Sequence, residues 1–516
     1  MATARRRRAA TEQPRLPRVS QLPRRRKPLR APPTSVSGGT AGTPSGRLVV
    51  SLPQRIVNLD PLGTSAAEEP VRIVAQHVFD TLVVRDIDSG EYRPSVATKW
   101  ETSSDGTTWS FTLRDDVKFH DDTELTATDV QASLERLVEV GGPFAALWAT
   151  LDHVTATSDT TVDITTKGPL GTVLANVALL SIAPAAGMAQ EGFFNKPIGS
   201  GPFKVVRYEP DSELELEAND NYWGSKAGVK TLIFRDIPEL AARVTALVTG
   251  EIDFTYRLPP DQAKTLQEND SIEIVTSPSY RYYFIWMNAS REPYTDKRVR
   301  QAMIYALDID TMVETLLSGV AERMDAPIPS TVFGYAPQTP YAYDPEKAKS
   351  LLAEAGYPNG FETNMIWNPG SDPQDREIAQ ALFSYWNAIG VKVEDRQQER
   401  AKWLEDLLAL NWDLDFQGNT VTTGDADFTL RRLYLSSANR TGYANPELDK
   451  LLQDAAATVD QQERKELYAR VCKHLWDEAV GIYPFQQIFN FAYQKRLRGF
   501  KPSPSVPLFT TVTVEE

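Results

Sequence analysis

A chain of 516 residues is too long for one hydrophobic core, so two or three domains are expected. Its 41% hydrophobic and 24% charged content is that of an ordinary globular protein. The net charge is −14, yet residues 1–45 hold ten Arg and Lys27 against Glu12 alone; that +10 leaves −24 for the rest, and an acidic body excludes nucleic acid as a partner.

Arg5–Arg8 and Arg24–Lys27 look like the basic part of an export signal, but no apolar segment follows them. Residues 1–45 read as a disordered basic tail or an aberrant export-signal region, with Pro32–Ser45 a flexible linker. Folded structure is expected from Gly46. Arg47–Leu52 is an apolar strand leading into Asn58-Leu59-Asp60-Pro61. Val74, Val78 and Leu82 predict a helix over Pro70–Val84. Trp100–Phe119 reads as a hairpin turning at Asp105-Gly106, and Thr128–Val138 as a helix.

The run between Lys167 and Glu191 carries no charge, and by length it could span a bilayer. Glycines and prolines interrupt it, so a buried strand and loop is expected. Ile198–Gly224 is the most distinctive stretch. Gly199, Gly201 and Pro202 make a turn, Phe203–Glu209 a strand, and Pro210-Asp211 turns it back. Leu214 and Leu216 then alternate with Glu213, Glu215 and Glu217, a strand with one wet face. Tyr222-Trp223 closes the unit.

Further on, Glu239–Thr249 is a helix stopped by Gly250, and Asp296–Ala306 another. The next helix takes Asp310 as its cap, and the one after it starts at Asp344-Pro345. Phe361–Gln397 is an α/β unit: a strand to Trp367, a loop over Asn368–Gln374, a helix with Ile378, Ala381, Leu382, Tyr385 and Ile389 inward, and a second strand over Val391–Asp395. Asp460 and Glu463 open a late helix in the manner of a capping box.

Catalytic chemistry finds no support. The four histidines are scattered, without metal-ligand spacing, and no phosphate loop or nucleophile elbow is present. No cofactor or metal is implied. Cys472, the single cysteine, sits on an apolar helical stripe and reads as a buried thiol. Ten Trp and 19 Tyr are more telling, because such rings bury area and keep a polar handle. Those beside turns or strand ends are the candidates for ligand contact: Tyr282, Trp286, Trp367, Trp412, Phe416 and Tyr483. Asn368 joins them, since ligands gather at the carboxyl ends of strands in α/β units. Gln417 and Asn419, in Phe416-Gln417-Gly418-Asn419, supply neutral donors and acceptors.

Several motifs occur in one order: Asn58–Pro61, Pro94–Phe119, Leu125–Val130, Ile198–Gly224, Val248–Phe254, Arg298–Val313, Tyr343–Gly360, Gly442–Leu451 and Lys495–Phe500. In that order they resemble the extracytoplasmic solute-binding proteins of ABC importers, family 5, the dipeptide, oligopeptide, nickel and opine type. The resemblance covers about residues 47–510. It implies a bilobal α/β fold of the type II periplasmic-binding-protein kind (cluster C), with discontinuous lobes, an extra domain and a ligand cleft between the lobes. The corresponding boundaries are 46–82, 201–285 and 488–516 for the first lobe, 83–200 for the extra domain and 286–487 for the second lobe.

The resemblance further implies a monomeric, periplasmic protein that captures a small hydrophilic ligand of peptide, opine or glycoconjugate type, delivers it to a membrane permease and hydrolyses nothing. A cleft hydrolase or a peptide-binding chaperone or receptor is the alternative. Peptide-binding members hold the ligand amine with an Asp just before a Gly-Asp-Pro-like turn. Here that turn is Gly424-Asp425-Ala426-Asp427, the matching position is near Thr422, and Asp425 or Asp427 is the substitute. Dipeptide types also use an Arg in the loop that here reads Asn368-Pro369-Gly370-Ser371-Asp372, which has none.

Overall fold

A computed structural model describes residues 44–86, 89–369 and 374–515. The tail and export-signal readings, and Gly370-Ser371-Asp372 of the loop, lie outside the described residues.

A twelve-stranded sheet carries the fold. Its first part is β1 (Arg47–Val50), followed by β2 (Val83–Arg85), which stands apart from it and pairs with Tyr92–Pro94. The main sheet continues with β3 (Phe203–Glu209), β4 (Glu213–Ala218), β5 (Thr231–Arg235), β6 (Phe254–Tyr256) and the 16-residue β7 (Ile272–Met287). It ends with β8 (Glu362–Trp367), β9 (Lys392–Gln397), β10 (Leu414–Thr420) and β11 (Phe485–Gln494). The spatial order is β9-β8-β10-β7-β11-β6-β1-β5-β4-β3, with two short strands attached to β7 and β11.

Five apolar cores among the described residues are organised around this sheet and a smaller one. Leu48, Phe79, Phe203, Leu216, Phe254 and Phe509 belong to the core of the first lobe. A separate four-stranded antiparallel sheet within residues 97–166 packs Phe111 and Ile164 against α2 (Ala127–Val140) through Val130 and Leu134. In the second lobe, central strands are covered on both faces. Met287, Trp367 and Phe416 lie on one side, and Trp286, Ile366 and Trp412 on the other. Strands buried on both faces carry apolar residues at consecutive positions, so aromatic content along them marks core.

β7 links the lobes. Ile272–Pro278 pairs with β11, the register shifts between Pro278 and Tyr282, and Arg281–Met287 pairs with β10. Proline has no N–H to give the ladder, and the register with β11 slips past Pro278, while Tyr282 pairs both with Gln486 of β11 and with Asn419 of β10. Tyr280 N donates to Pro504 O (2.9 Å), and Tyr280 O accepts from Val421 N (2.9 Å). One residue is thereby tied to both sides of the crossing.

The Ile198–Gly224 motif is a junction. α1 (Glu69–Val78) ends where Gly201 N donates to Val78 O at 2.9 Å, and a Cβ on Gly199 would stand 1.9 Å from that same carbonyl. Just beyond, Asp80 accepts from the Ser200 hydroxyl (2.8 Å), the Tyr222 hydroxyl (2.9 Å) and Trp223 Nε1 (2.9 Å). This corrects the helix expected over Pro70–Val84. The apolar spacing runs on to Leu82, but the glycine turn claims the helix end, and Val83 and Val84 form a strand.

Three smaller expectations also change. Within Lys167–Glu191 the structure has short helices, Val173–Val177 and Ala185–Met188, and no strand, because Val173, Leu174 and Val177 fill the core beside α2. Asp308, not Asp310, caps the helix Ile309–Leu316, accepting from Thr311 N at 3.0 Å; Asp310 pairs with Arg323 instead. On α3 (Asp375–Ala388) the deepest ring is Trp386, whose Nε1 reaches Met303 O at 3.0 Å, while Tyr385 is half-buried. No helix among the described residues is long and apolar enough to cross a membrane.

Candidate ligand-binding site

The carboxyl ends of β8 and β10 run side by side, with Trp367 opposite Phe416. Past them the chain turns polar. Asn368 Nδ2 donates to Gln398 O (2.9 Å), and Gln417 Nε2 donates to Asp415. The rings expected to contact ligand lie beneath this edge. Trp367 is buried and donates Nε1 to Asp395 Oδ1 (2.7 Å), and Phe416 stacks on Tyr283 with ring centroids 5.8 Å apart. Trp286 Nε1 and the Tyr483 hydroxyl both reach the Tyr434 hydroxyl (3.2 and 3.0 Å), and Trp412 Nε1 is bonded to Leu407 O (3.2 Å). Trp286, Trp367, Trp412, Phe416 and Tyr483 are therefore core rings that shape the edge from below. The polar atoms of Trp286, Trp367, Trp412 and Tyr483 are engaged within the protein.

Asp425, expected as a partner for a ligand amine, is also engaged internally. It caps α4 (Ala426–Tyr434), accepting from Asp427 N, and both carboxylate oxygens take the Arg464 guanidinium at 3.0 Å. Arg464 lies on α6 (Gln461–Asp477), which packs with α5 (Pro446–Ala457) behind the site. Burial works against the Arg464 charge, but Asp425 outweighs it and the guanidinium stays charged. Asp427 accepts from the Tyr468 hydroxyl at 2.9 Å, and burial raises its pKa. A narrow crevice runs beside α4; Leu147, Thr172, Asn176, Asp425, Phe428 and Arg431 are among its walls.

Asn419, Tyr282 and Arg432 stand together next to the register shift of β7. Arg432 Nη2 donates to Asn419 Oδ1 (2.8 Å), and its guanidinium lies over the Phe428 ring. Asn419 is hydrogen-bonded to the Tyr282 phenol. Across the crossing, Arg85 Nη1 donates to the Tyr280 hydroxyl (2.5 Å) and lies against Gly424, where a Cβ would come within 2.1 Å of it.

Sequence reading did not single out Arg85, Tyr280, Arg432 or Arg440. The only signal was two adjacent arginines one helical turn after Gly-Asp-Ala-Asp, indistinguishable from a solvated helix face until their partners are known. Among the described residues no cluster of His, Cys, Asp and Glu could hold a metal. Cys472 is buried, and burial pushes its thiol up to about 12.

Asp415 is titratable within this edge. Burial raises its pKa to about 7, against the opposing hydrogen bonds of Trp403 and Gln417. A folded-state pKa raised above the unfolded value gives stability that is present in acid and lost as pH climbs through about 7. Asp415→Asn should therefore be more stable than the parent at pH 8, by about 1–3 kcal/mol, and no more stable below the unfolded-state pKa of 3.8. Urea unfolding in both pH ranges checks this, and a variant less stable at pH 8 would contradict it.

Comparisons with known proteins agree with this architecture. Residues 91–441 match the family described as bacterial extracellular solute-binding proteins, family 5 Middle. The glutathione-binding protein GsiB of Pectobacterium atrosepticum is 31% identical over 477 residues, 88% of this chain and 91% of that protein. The dipeptide-binding protein of Escherichia coli is 29% identical over 83% of this chain and 87% of its own. The solved structure of HbpA2 from Haemophilus parasuis superposes with a TM-score of 0.83 at 29% identity, covering 91% of this chain and all of that one. The two-lobed mixed sheet and the ordered motifs of the sequence are accounted for together: the chain belongs to family 5 of the bacterial extracellular solute-binding proteins, the substrate-capturing components of ABC importers, and is not an enzyme.

Proposed function

We propose that this protein, as a monomer in the periplasm, encloses a small peptide-like solute between its lobes at the hinge and presents it to a membrane permease. Glutathione and dipeptides are the first solutes to test, given the relatives described above. The observation that carries the reading is the meeting of Arg85, Tyr280 and Gly424 at the point where the register of β7 shifts, beside the polar strand ends at Asn368, Gln417 and Asn419. A ligand seated there touches both lobes and favours their closed arrangement by its extra contacts in that state. An opine or sugar conjugate is the second reading. It is favoured by Asp425, whose charge is already matched by Arg464 and so is not free to anchor a ligand ammonium.

Native mass spectrometry of the purified protein, followed by calorimetric titration with glutathione and dipeptides, tests this. A one-to-one complex that leaves the ligand chemically unchanged supports the proposal; binding of neither peptide class removes it. Gly424→Ala probes the closed contact. Its φ of +66° is costly for an L side chain, and its Cβ would displace Arg85. Affinity should fall about tenfold, the equivalent of roughly 1.4 kcal/mol, with the on-rate less affected than the off-rate. Unchanged affinity would place the Arg85–Gly424 contact outside the ligand-bound form.

A further inference from the structure

We infer that a latch between the smaller sheet's domain and the second lobe, formed by the turn at residues 168–171 against the end of α5, stabilises the closed arrangement independently of solute; this rests on the two-lobed closure proposed above.

The chain itself decides which parts move together. Phe79 and Phe203 flank the smaller domain in sequence, and both lie in the first lobe's core. Asp80 and its donors Ser200, Tyr222 and Trp223 close that junction. The smaller domain is therefore carried by the first lobe. No covalent bond joins it to the second lobe, since the chain has a single cysteine and can form no internal disulfide. Hinge closure swings such bodies together about a few connecting residues. Contacts between the smaller domain and the second lobe are thus made on closing and broken on opening.

The contact at the turn is close and made by backbone. Gly171 N donates to Ala456 O at 2.8 Å. That carbonyl belongs to the last turn of α5, where helix carbonyls have no partner inside the helix. Its neighbour Ala455 O is taken by Arg464 Nε at 3.2 Å. No side chain would fit at Gly171: a Cβ there would stand 1.9 Å from Thr458 O and 2.8 Å from Arg464 Cδ. Val459 and Phe428 of the second lobe pack against the smaller domain's core. Gly171 thus meets the buried Asp425–Arg464 pair at its arginine, while Arg85 meets Gly424, the neighbour of its aspartate.

Packing of this kind is short-ranged, and a gap of about 0.5–1 Å already forfeits a quarter to a half of it. The latch therefore acts only in the fully closed form. A solute that needs that form binds more tightly, and leaves more slowly, by the factor the latch supplies.

The test uses the full chain with nitroxide labels on Thr157→Cys and Gln462→Cys, exposed positions on the smaller domain and on α6. Cys472 is buried and stays unlabelled. Without solute, pulsed electron resonance should show a population at the short, closed distance in the parent. In Gly171→Ala the ratio of closed to open should fall about tenfold, the worth of a lost hydrogen bond and its packing. The melting temperature should not fall, because the obstructed contact opens instead of holding strain. Gly168→Ala, where a Cβ meets nothing within 4 Å, should match the parent. With glutathione and Ala-Ala as probes, the off-rate from Gly171→Ala should rise about tenfold and the on-rate change far less. Distances and off-rate equal to the parent's overturn the inference. A lowered melting temperature with the closed distance retained marks a fixed interface and overturns it too. A shifted distance in the variant, with neither probe bound by the parent, removes peptide capture and leaves the latch standing. If Gly171→Ala does not fold, Val459→Glu brings a charge into the same contact from a half-buried turn. The same distances then decide, and an unchanged distribution overturns the inference.

Discussion

Arg464→Met is expected to lower unfolding free energy by about 3–5 kcal/mol, the usual result of leaving one member of a buried ion pair alone. Both side chains are buried, and the pair is bidentate at 3.0 Å. Arg464 also reaches Ala455 O (3.2 Å) and Gln461 Oε1 (3.1 Å), so it ties α5 to α6 as well as holding the start of α4. Methionine fills part of the volume but satisfies none of these acceptors. Adding Asp425→Asn should recover a substantial part of the loss, because the stranded charge is then gone while an amide oxygen still caps α4. Urea unfolding of the parent, both single variants and the double variant gives the coupling. A single Arg464→Met variant as stable as the parent would mean that the pair does not hold this lobe together.

Gly199→Ala should be the other severe change, with a loss of about 3 kcal/mol or more, as found for overpacking at buried backbone. The added methyl would stand 1.9 Å from Val78 O and 3.0 Å from the Phe79 ring. Neither can retreat freely: Val78 O receives Gly201 N, and Phe79 is in the first lobe's core. Opening this turn also pulls Ser200 from Asp80, which then loses one of its three donors. Gly168→Ala is the control. A Cβ there meets nothing within 4 Å, and the change should fall within about 0.5 kcal/mol. If both variants melt alike, the junction does not depend on that close approach.

What could be read without coordinates was what local pattern decides. The alternation of Leu214 and Leu216 with glutamates gave β4, and Asp344 and Asp460 marked helix starts, because caps and strand faces are set within a few residues. The end of α1 was not readable: a turn more than a hundred residues later takes its last carbonyl. The site was harder still. Trp286 and Trp412 stand where strands end, as a binding ring would, yet their N–H groups are consumed by Tyr434 and Leu407. Asp425 looked available because its partner is 39 residues away, and Arg432 looked like surface because the lack of an acid beside it is a fact of three-dimensional packing. Charge balance at a site is decided by contacts distant in sequence, and single-residue chemistry does not reveal them.

The first lobe's core also bears on when the chain can fold. His77 accepts from Phe509 N, and Arg72 reaches Ser505, partners 432 and 433 residues apart. β6 pairs with β11 and β1 with β6, and Phe509 packs on Phe254. Early segments of this lobe thus wait for the last few dozen residues, and contacts of such sequence separation make folding slow. A chain ending at residue 495 should leave the amides of β1 and β5 in rapid hydrogen exchange while the sheet within residues 97–166 stays protected. During synthesis, the half-made protein would remain an open strand at its first lobe, a state that can still be threaded, until its final residues arrive.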